Sequence, residues 1–217
     1  MTIRVLICDD HLIVRQGLKQ ILSDTPDIDV VAEAENGIDA IRLVRAEAEA
    51  GWPFDVVLMD IAMPQRDGLD VLKQLKSEYP RLPVLILSTY PDKQYAVRSI
   101  RLGASGFVGK SADSEQLIEA IHKAASGGIF LTPAIAESLA ASVSEVGSKP
   151  AHEILSHREH QVFRLIATGQ NVSQIAEQLA LSPNTVSTYR TRILEKTGVR
   201  NDVELALYAV KQNIVAL

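Results

Sequence analysis

The chain has almost no cysteine and no long apolar run. A single cysteine, Cys8, sits inside an apolar stretch, which excludes an internal disulfide framework and a cysteine-rich zinc site and suits a reducing compartment. No apolar run reaches the roughly 18 residues that a membrane helix needs. The opening MTIRVLICDD turns acidic too early for a signal peptide, so the expected location is the cytoplasm, with no membrane partner. There is no internal repeat and no low-complexity tract. No Gly- or Ser/Thr-rich phosphate loop follows the first apolar run, which argues against a flavodoxin-like cofactor binder. What is present is an ordinary globular balance: 217 residues, 47% hydrophobic and 23% charged, enough for one large domain or two small ones.

The net charge of -5 is unevenly spread. Residues 152–217 carry seven Lys/Arg against six Asp/Glu, a local +1, so the remainder carries -6. Different partners are implied for the two parts. From residue 3 to about 126, short runs rich in Val, Ile and Leu (3–7, 29–34, 54–59, 83–87 and 106–109) read as strands of a parallel sheet buried on both faces. Between them lie helical stripes: Val14, Leu18, Ile21 and Leu22; Ile41, Val44 and Ala48; Leu69, Leu72 and Leu75; Ala96, Val97 and Ile100; Leu117, Ile118 and Ile121. The predicted fold class is α/β, a (βα)5 domain over 1–126 with helices on both faces of one open sheet. Residues 127–152 read as a linker with a short helix over 133–144, Ile135 and Leu139 facing inward, followed by SEVGSKP. Residues 153–217 read as a smaller all-α domain of four helices. Their start signals are Ser156 with Glu159, Asn171 with Gln174, Ser182 with Pro183, and Asn201 with Glu204.

Ligands of an open parallel sheet bind beyond the carboxyl ends of its strands. Strand one ends in Asp9-Asp10, strand three in Asp60, strand four in Ser88-Thr89 and strand five in Lys110. Taken singly, each reads as a solvated turn or surface residue. Taken together, three carboxylates, a hydroxyl and an ammonium at one rim describe a site. Clustered carboxylates repel, and a hard divalent cation such as Mg²⁺ relieves that repulsion. A carboxylate beside it can accept a phosphoryl group, whose charge metal, lysine and hydroxyl then share. Asp60, which ends the strand expected at the sheet centre, is the best acceptor. His11 beside the acid pair reads as a helix N-terminal position, with a base or ligand as the sharper alternative. His152, His157 and His160 fit no zinc spacing and read as surface residues, and Trp52 as a loop anchor.

These residues, as CDDH (8–11), VVLMDIAMP (56–64), LILST (85–89) and GFVGK (106–110), resemble the receiver domain of two-component response regulators. The resemblance implies a flavodoxin-like fold and an aspartate phosphorylated by a sensor histidine kinase. On it, Asp60 is the phospho-acceptor. Asp10, Asp60 and the Ala62 carbonyl bind Mg²⁺, with Asp9 acting through water. Ser88 and Lys110 meet the phosphoryl oxygens, and Phe107 stands at the aromatic switch position. Ser111 follows Lys110 where many receivers have proline, so a cis peptide is not expected there. Phe107 lacks a phenolic hydroxyl and also reads simply as a packed aromatic.

In the second part, VSQIAEQLA, LSP and NTVSTYRTRILEK have the shape of a helix-turn-helix. Val186, Ile193 and Leu194 face inward with Tyr189 partly so. Ser187, Thr188 and Thr191 share the opposite face, flanked by Arg190, Arg192 and Lys196. Short polar groups suit base edges and long basic ones suit phosphates; the plainer alternative is an exposed amphipathic helix of a bundle. LSHRE (155–159), GQNVSQIAEQLALS (169–182), TVSTYRTRILEKTGV (185–199) and VEL (203–205) resemble the LuxR-type helix-turn-helix of NarL/FixJ-family regulators. TVSTYR and DVELAL are most similar to GacA/UvrY-type members. The resemblance places base contacts on Ser187, Thr188 and Thr191 and phosphate contacts on Thr185, Arg190, Arg192 and Lys196. It places pairing of two chains on the last helix through Val203, Leu207 and Val210. The implied function is a transcription regulator, not a classical enzyme, whose phosphorylation favours a homodimer bound to double-stranded promoter DNA. An aspartyl-phosphate hydrolase is the rival, disfavoured by the short loops DDH and DIAMPQRDG, which leave little room for a substrate.

Overall fold

Five short runs of Val, Ile and Leu pair side by side because every second residue has a hydrophobic layer to enter on each face. They are β1 (Ile3–Cys8), β2 (Ile28–Ala34), β3 (Val56–Asp60), β4 (Val84–Ser88) and β5 (Gly106–Gly109), all parallel, in the order β2-β1-β3-β4-β5. The structure is a computed structural model and describes residues 2–51, 53–63, 66–89, 93–144, 155–179, 181–212 and 214–215. Trp52, His152 and SEVGSKP beyond Ser144 lie outside the described residues. The chain divides into two compact units, Met1–Val146 and Gly147–Leu217.

In the first unit, helices α1 (Leu12–Ser23), α2 (Gly37–Glu49), α3 (Gly68–Glu78), α4 (Lys93–Arg101) and α5 (Ser114–Ala125) alternate with the strands. The period-2 alternation of the strands sorts the core into two layers. Val5, Ile7, Val56, Leu58, Leu85 and Val108 pack with Leu18 and Leu22 of α1 and Leu117, Ala120 and Ile121 of α5. Leu6, Cys8, Val57, Met59, Val84 and Ile86 pack with Ile41 and Val44 of α2, Leu72 and Leu75 of α3 and Ala96 of α4. Asp and Asn side chains start three of the helices, with Asn36, Asp67 and Asp113 each accepting N–H groups of the first turn.

Residues 127–144 also lie on this unit. Phe130 bridges to Gly106 at the sheet edge and is buried in the α1/α5 layer. Helix α6 (Pro133–Ser144) places Ile135 in the opposite layer with Phe107 and Ala96, and Leu139 is half-buried.

The second unit holds α7 (His157–Ala167), α8 (Val172–Gln178), α9 (Pro183–Thr197) and α10 (Asp202–Lys211) around Phe163, Ile166, Ile175, Val186, Ile193, Leu205 and Ala209. Ser156 with Glu159 and Asn171 with Gln174 form reciprocal capping boxes. At α10 the box is half made: Asn201 accepts from the Glu204 N–H, while the Glu204 carboxylate takes the Arg200 N–H at 2.9 Å instead. Gly198 ends α9 with φ 72°, a left-handed turn that a side chain would strain. His160, expected at the surface, is buried at 6% exposure and meets Phe163 edge-on at 5.9 Å. Its spacing from Phe163 puts it on the core stripe of α7, where an imidazole fills space as an aromatic.

An ion pair joins α7 to α9 in this unit. The Glu159 carboxylate, only 3% exposed, accepts from Lys196 Nζ at 2.6 Å and from the Ser156 N–H at 2.7 Å. Burial pushes its pKa up, but the Lys196 ammonium and the Ser156 backbone more than offset this and hold it below the ordinary 4.5. A depressed carboxyl stabilises the fold fully above that ordinary value and less as pH falls through the lower folded value. Glu159→Gln is expected to cost the helical unit about 1–2 kcal/mol at neutral pH, because Gln can still cap α7 as Gln174 caps α8 but loses the charge-assisted hydrogen bond from Lys196. The deficit should shrink in acid below the ordinary carboxyl value. Urea titrations followed through α7 and α9 amide resonances at two pH values check both statements.

Candidate functional site

Strand register builds the first site. Cys8 pairs with Met59, so the next residues, Asp9 and Asp60, stand level on adjacent strands. Asp60 pairs with Leu87 and Ser88 with Gly109, which sets Ser88 and Lys110 one step further along the same rim. The Lys110 N–H donates to the Ser88 carbonyl at 2.7 Å and locks that step. Asp9 and Asp60 are buried at 0% and 2% exposure, and Ser88 at 3%. The Lys110 ammonium lies between the two acids, 2.5 Å from Asp9 Oδ2 and 3.0 Å from Asp60 Oδ1. His11 is the N-cap of α1, yet its side chain makes no cap bond. Instead it turns back, with Nδ1 2.7 Å from Asp10 Oδ1 and 3.4 Å from Asp9 Oδ1. Ligand atoms of Asp9, Asp10, His11 and Asp60 all lie within 4.8 Å of one another.

The electrostatics follow from burial. Desolvation pushes the Asp60 carboxyl above its ordinary value, with Lys110 opposing and Asp9 reinforcing. Burial pulls the Lys110 ammonium down, but Asp60 and Asp9 outweigh it and hold the pKa above 10.5. Burial, together with the acids beside it, also raises the Cys8 thiol well out of reach of reactivity. One ammonium among three carboxylates leaves the pocket negative. Asp60 Oδ2 is buried without a hydrogen-bond partner, a costly state that a hard cation would relieve. An acidic cluster with oxygen donors is a set that could hold a divalent metal ion. Ala62 lies two residues past Asp60 in the loop that begins where β3 ends.

Phe107 is 3% exposed and packs beside Tyr95, Ala96 and Ile135. None of the described peptide bonds is cis, as expected with Ser111 after Lys110. Two residues of the site carried no signal in the motif. Gly68, the first residue of α3, lies against the Asp60 backbone so closely that a Cβ would fall 2.1 Å from the Asp60 carbonyl oxygen. Arg15 is buried at 4% exposure on the same stripe of α1 as Leu18 and Leu22. A charge on a core stripe was the only available sign of it.

On α9, Ser187, Thr188, Thr191 and Arg192 are exposed, and Thr185 is half-buried. Ser182 caps the helix by accepting from the Thr185 N–H at 3.1 Å. Two of the expected phosphate contacts are engaged elsewhere. Arg190 Nε donates to Asp202 at 2.8 and 3.1 Å, and Lys196 is bound to Glu159. On α10, Val203 and Leu207 are 71% and 66% exposed, while Val210 is half-buried. No helix among the described residues is long and apolar enough to cross a membrane.

Comparison with known proteins gives two family matches. The response regulator receiver domain matches residues 5–122, and the bacterial regulatory proteins of the luxR family match residues 153–209. The chain is 36% identical over 214 residues to the response regulator GacA of Pseudomonas aeruginosa, covering 98% of each. It is 40% identical over 207 residues to the transcriptional regulatory protein UhpA of Salmonella typhimurium, covering 94% of this chain and 96% of that protein. Among solved structures, it is similar to the response regulator ChrA of a heme-sensing two-component system, at 33% identity and a TM-score of 0.52, over 99% of both chains. It is also similar to RcsB of Salmonella enterica serovar Typhimurium bound to promoter rprA with the phosphomimetic BeF₃⁻. That match has 27% identity and a TM-score of 0.58, over 96% of this chain and 98% of that one.

The close approach at Gly68 is directly testable. Gly68→Ala forces the Asp60 main chain to move and is expected to destabilise the first unit by about 1–3 kcal/mol, with shifts of the Asp60 and Lys110 amide resonances. Gly17→Ala is the control, because its Cβ meets nothing within 4 Å on an exposed face of α1; it should raise stability by about 0.5–1 kcal/mol. Thermal unfolding and amide spectra of both variants check the contrast.

Proposed function

The chain belongs to the two-component response regulators of the NarL/FixJ family, a receiver domain joined to a LuxR-type helix-turn-helix domain, and on that premise we propose that phosphorylation of Asp60 controls its grip on promoter DNA. The observation that carries this reading is the half-buried Lys110 ammonium shared by the buried Asp9 and Asp60, beside a carboxylate oxygen that has no partner. We divide the chain into a receiver over 1–126, a connecting segment over 127–152 and a DNA-binding domain over 153–217. The regulator works in the cytoplasm.

The phosphoryl donor is a phosphohistidine of a sensor kinase. A bond forms from an Asp60 oxygen to phosphorus as the phosphorus–nitrogen bond of the donor breaks, and the electron pair returns to the imidazole. Asp10, Asp60 and the Ala62 carbonyl would hold Mg²⁺, with Asp9 acting through water. When bound, the metal neutralises charge on the pocket and on the transferred group. Lys110, already held at the rim, pairs with the incoming phosphoryl oxygens, and the Ser88 hydroxyl hydrogen-bonds to them. The protein catalyses nothing beyond gaining and losing its own phosphoryl group. About two negative charges arrive at one pocket, and Phe107, packed against α4 and α6, is placed to repack with them.

The output follows from the exposed face of α9. Ser187, Thr188 and Thr191 are offered to base edges, and Thr185 and Arg192 to phosphates. Arg190 and Lys196 reach DNA only by giving up Asp202 and Glu159, so Arg192 is the cation that binds at least cost. Val203 and Leu207, exposed on α10, supply an apolar patch for a second copy, with Val210 at its edge. A homodimer formed on phosphorylation presents two recognition helices to two half-sites and raises effective concentration without new base contacts.

Two experiments test this reading. Incubation with acetyl phosphate and Mg²⁺ should give wild type one acid-stable, base-labile phosphoryl group, and Asp60→Asn none. Equal labelling of the variant contradicts the assignment. Arg192→Ala should weaken binding to specific and unrelated duplexes alike and reduce the slope of log affinity against log salt by about 1, as measured by fluorescence anisotropy across salt. An unchanged slope removes Arg192 from the phosphate contacts.

A further inference from the structure

Arginine is rarely buried, and the burial of Arg15 is not explained by its charged partners. Its Nε donates to Glu33 at 3.2 Å and its Nη2 to Glu35 at 2.7 Å, but those carboxylates are 26% and 74% exposed. Ion pairs that open to solvent return little stability and do not require the guanidinium to sit at 5% exposure. The contact that lies fully inside is the third: Nη1 donates to the Asp9 carbonyl oxygen at 2.8 Å. That carbonyl belongs to the peptide joining Asp9 to Asp10.

With this bond every polar group of Asp9 is fixed. Its N–H goes to the Ala34 carbonyl at 3.1 Å, its carbonyl to Arg15, its Oδ1 to the His11 N–H at 2.8 Å and its Oδ2 to Lys110. The peptide plane between the two acids sets the direction in which the Asp10 side chain leaves the main chain. Glu33 holds the guanidinium fork in place, and Lys19 braces Glu33 at 2.6 Å, while the pair with the exposed Glu35 adds little. A planar fork suits this task because one end pairs with carboxylates while the other donates to a carbonyl.

We propose that Arg15 is a positioning residue for cation binding: by holding the 9–10 peptide, it presets the Asp10 carboxylate for the divalent ion. The inference rests on the reading of the acidic pocket as a metal site. It makes a prediction opposite in sign to simple electrostatics. A cationic side chain near a cation site repels the ion, so if charge were all that mattered, removing Arg15 would tighten binding. If orientation matters, removal loosens binding, by roughly tenfold to a hundredfold when an outer partner of a ligand is lost.

The experiment is Mn²⁺ binding to the full chain, with free Mn²⁺ read by electron paramagnetic resonance and folding monitored by circular dichroism. Wild type and Asp10→Asn set the scale. Arg15→Met is expected to weaken Mn²⁺ at least tenfold. Glu35→Gln removes an exposed partner but leaves the Asp9 bond, and should stay within about threefold of wild type. Unchanged or tighter binding in folded Arg15→Met overturns the proposal. If that variant does not fold, Arg15→Lys carries the test, because it keeps the charge and cannot span Glu33 and the Asp9 carbonyl together. Affinity within twofold of wild type there also overturns it. Failure of wild type to bind Mn²⁺ better than Asp10→Asn removes the metal reading itself, and this inference with it.

Discussion

One ammonium between two buried carboxylates is the constraint on which the receiver unit depends. Asp9 and Asp60 stand level on neighbouring parallel strands, where solvent does not reach them, and each would be costly to ionise alone. Lys110 holds both within 3.0 Å. It cannot neutralise Asp10 as well, so the pocket keeps a negative balance and an unpartnered oxygen on Asp60. A site with that balance favours a small hard cation. On the proposed function, an anionic phosphoryl group would meet two positive centres once a cation was bound. On that reading, the same lysine that makes the resting pocket tolerable would also hold the product.

The helical unit depends on a different economy of charge. Glu159 serves a helix cap and a cross-helix ion pair at once, and Asp202 at the start of α10 holds Arg190 of α9. These pairs join α7 to α9 and α9 to α10. They also withdraw two cations from the surface that resembles a DNA-reading face, which leaves the short polar residues and Arg192 as its exposed part. On the proposed function, such a face would bind weakly as a single copy and gain most from pairing, which makes control by assembly physically reasonable.

Much of this was legible in the residues themselves. Apolar runs bounded by acids and a lysine gave the strands, and period-2 burial on both faces then requires their ends to meet at one rim. Caps at Ser156, Asn171 and Ser182 gave the helix starts because their hydrogen bonds are local in sequence. What stayed hidden is non-local or chemically atypical. Phe130 belongs to the core of the first unit, but it lies in a stretch that reads as a connection, and Ile135, expected to face inward, gave no sign of which core it enters. His160 and Arg15 are polar residues on apolar stripes, and residue type misleads there. The Glu159–Lys196 pair spans 37 positions, and no pattern along the chain announces it. Gly68 matters through a backbone approach that only coordinates reveal.

The central claim is that the carboxylate at the centre of the sheet is the one chemically modified. It is tested most directly by trapping the acyl phosphate with borohydride after exposure to a phosphodonor and Mg²⁺, then mapping the reduced residue by peptide mass spectrometry. The account predicts homoserine at position 60 and at no other aspartate. Reduction at Asp9 or Asp10 instead, or an untouched residue 60 in a fully labelled protein, would contradict it.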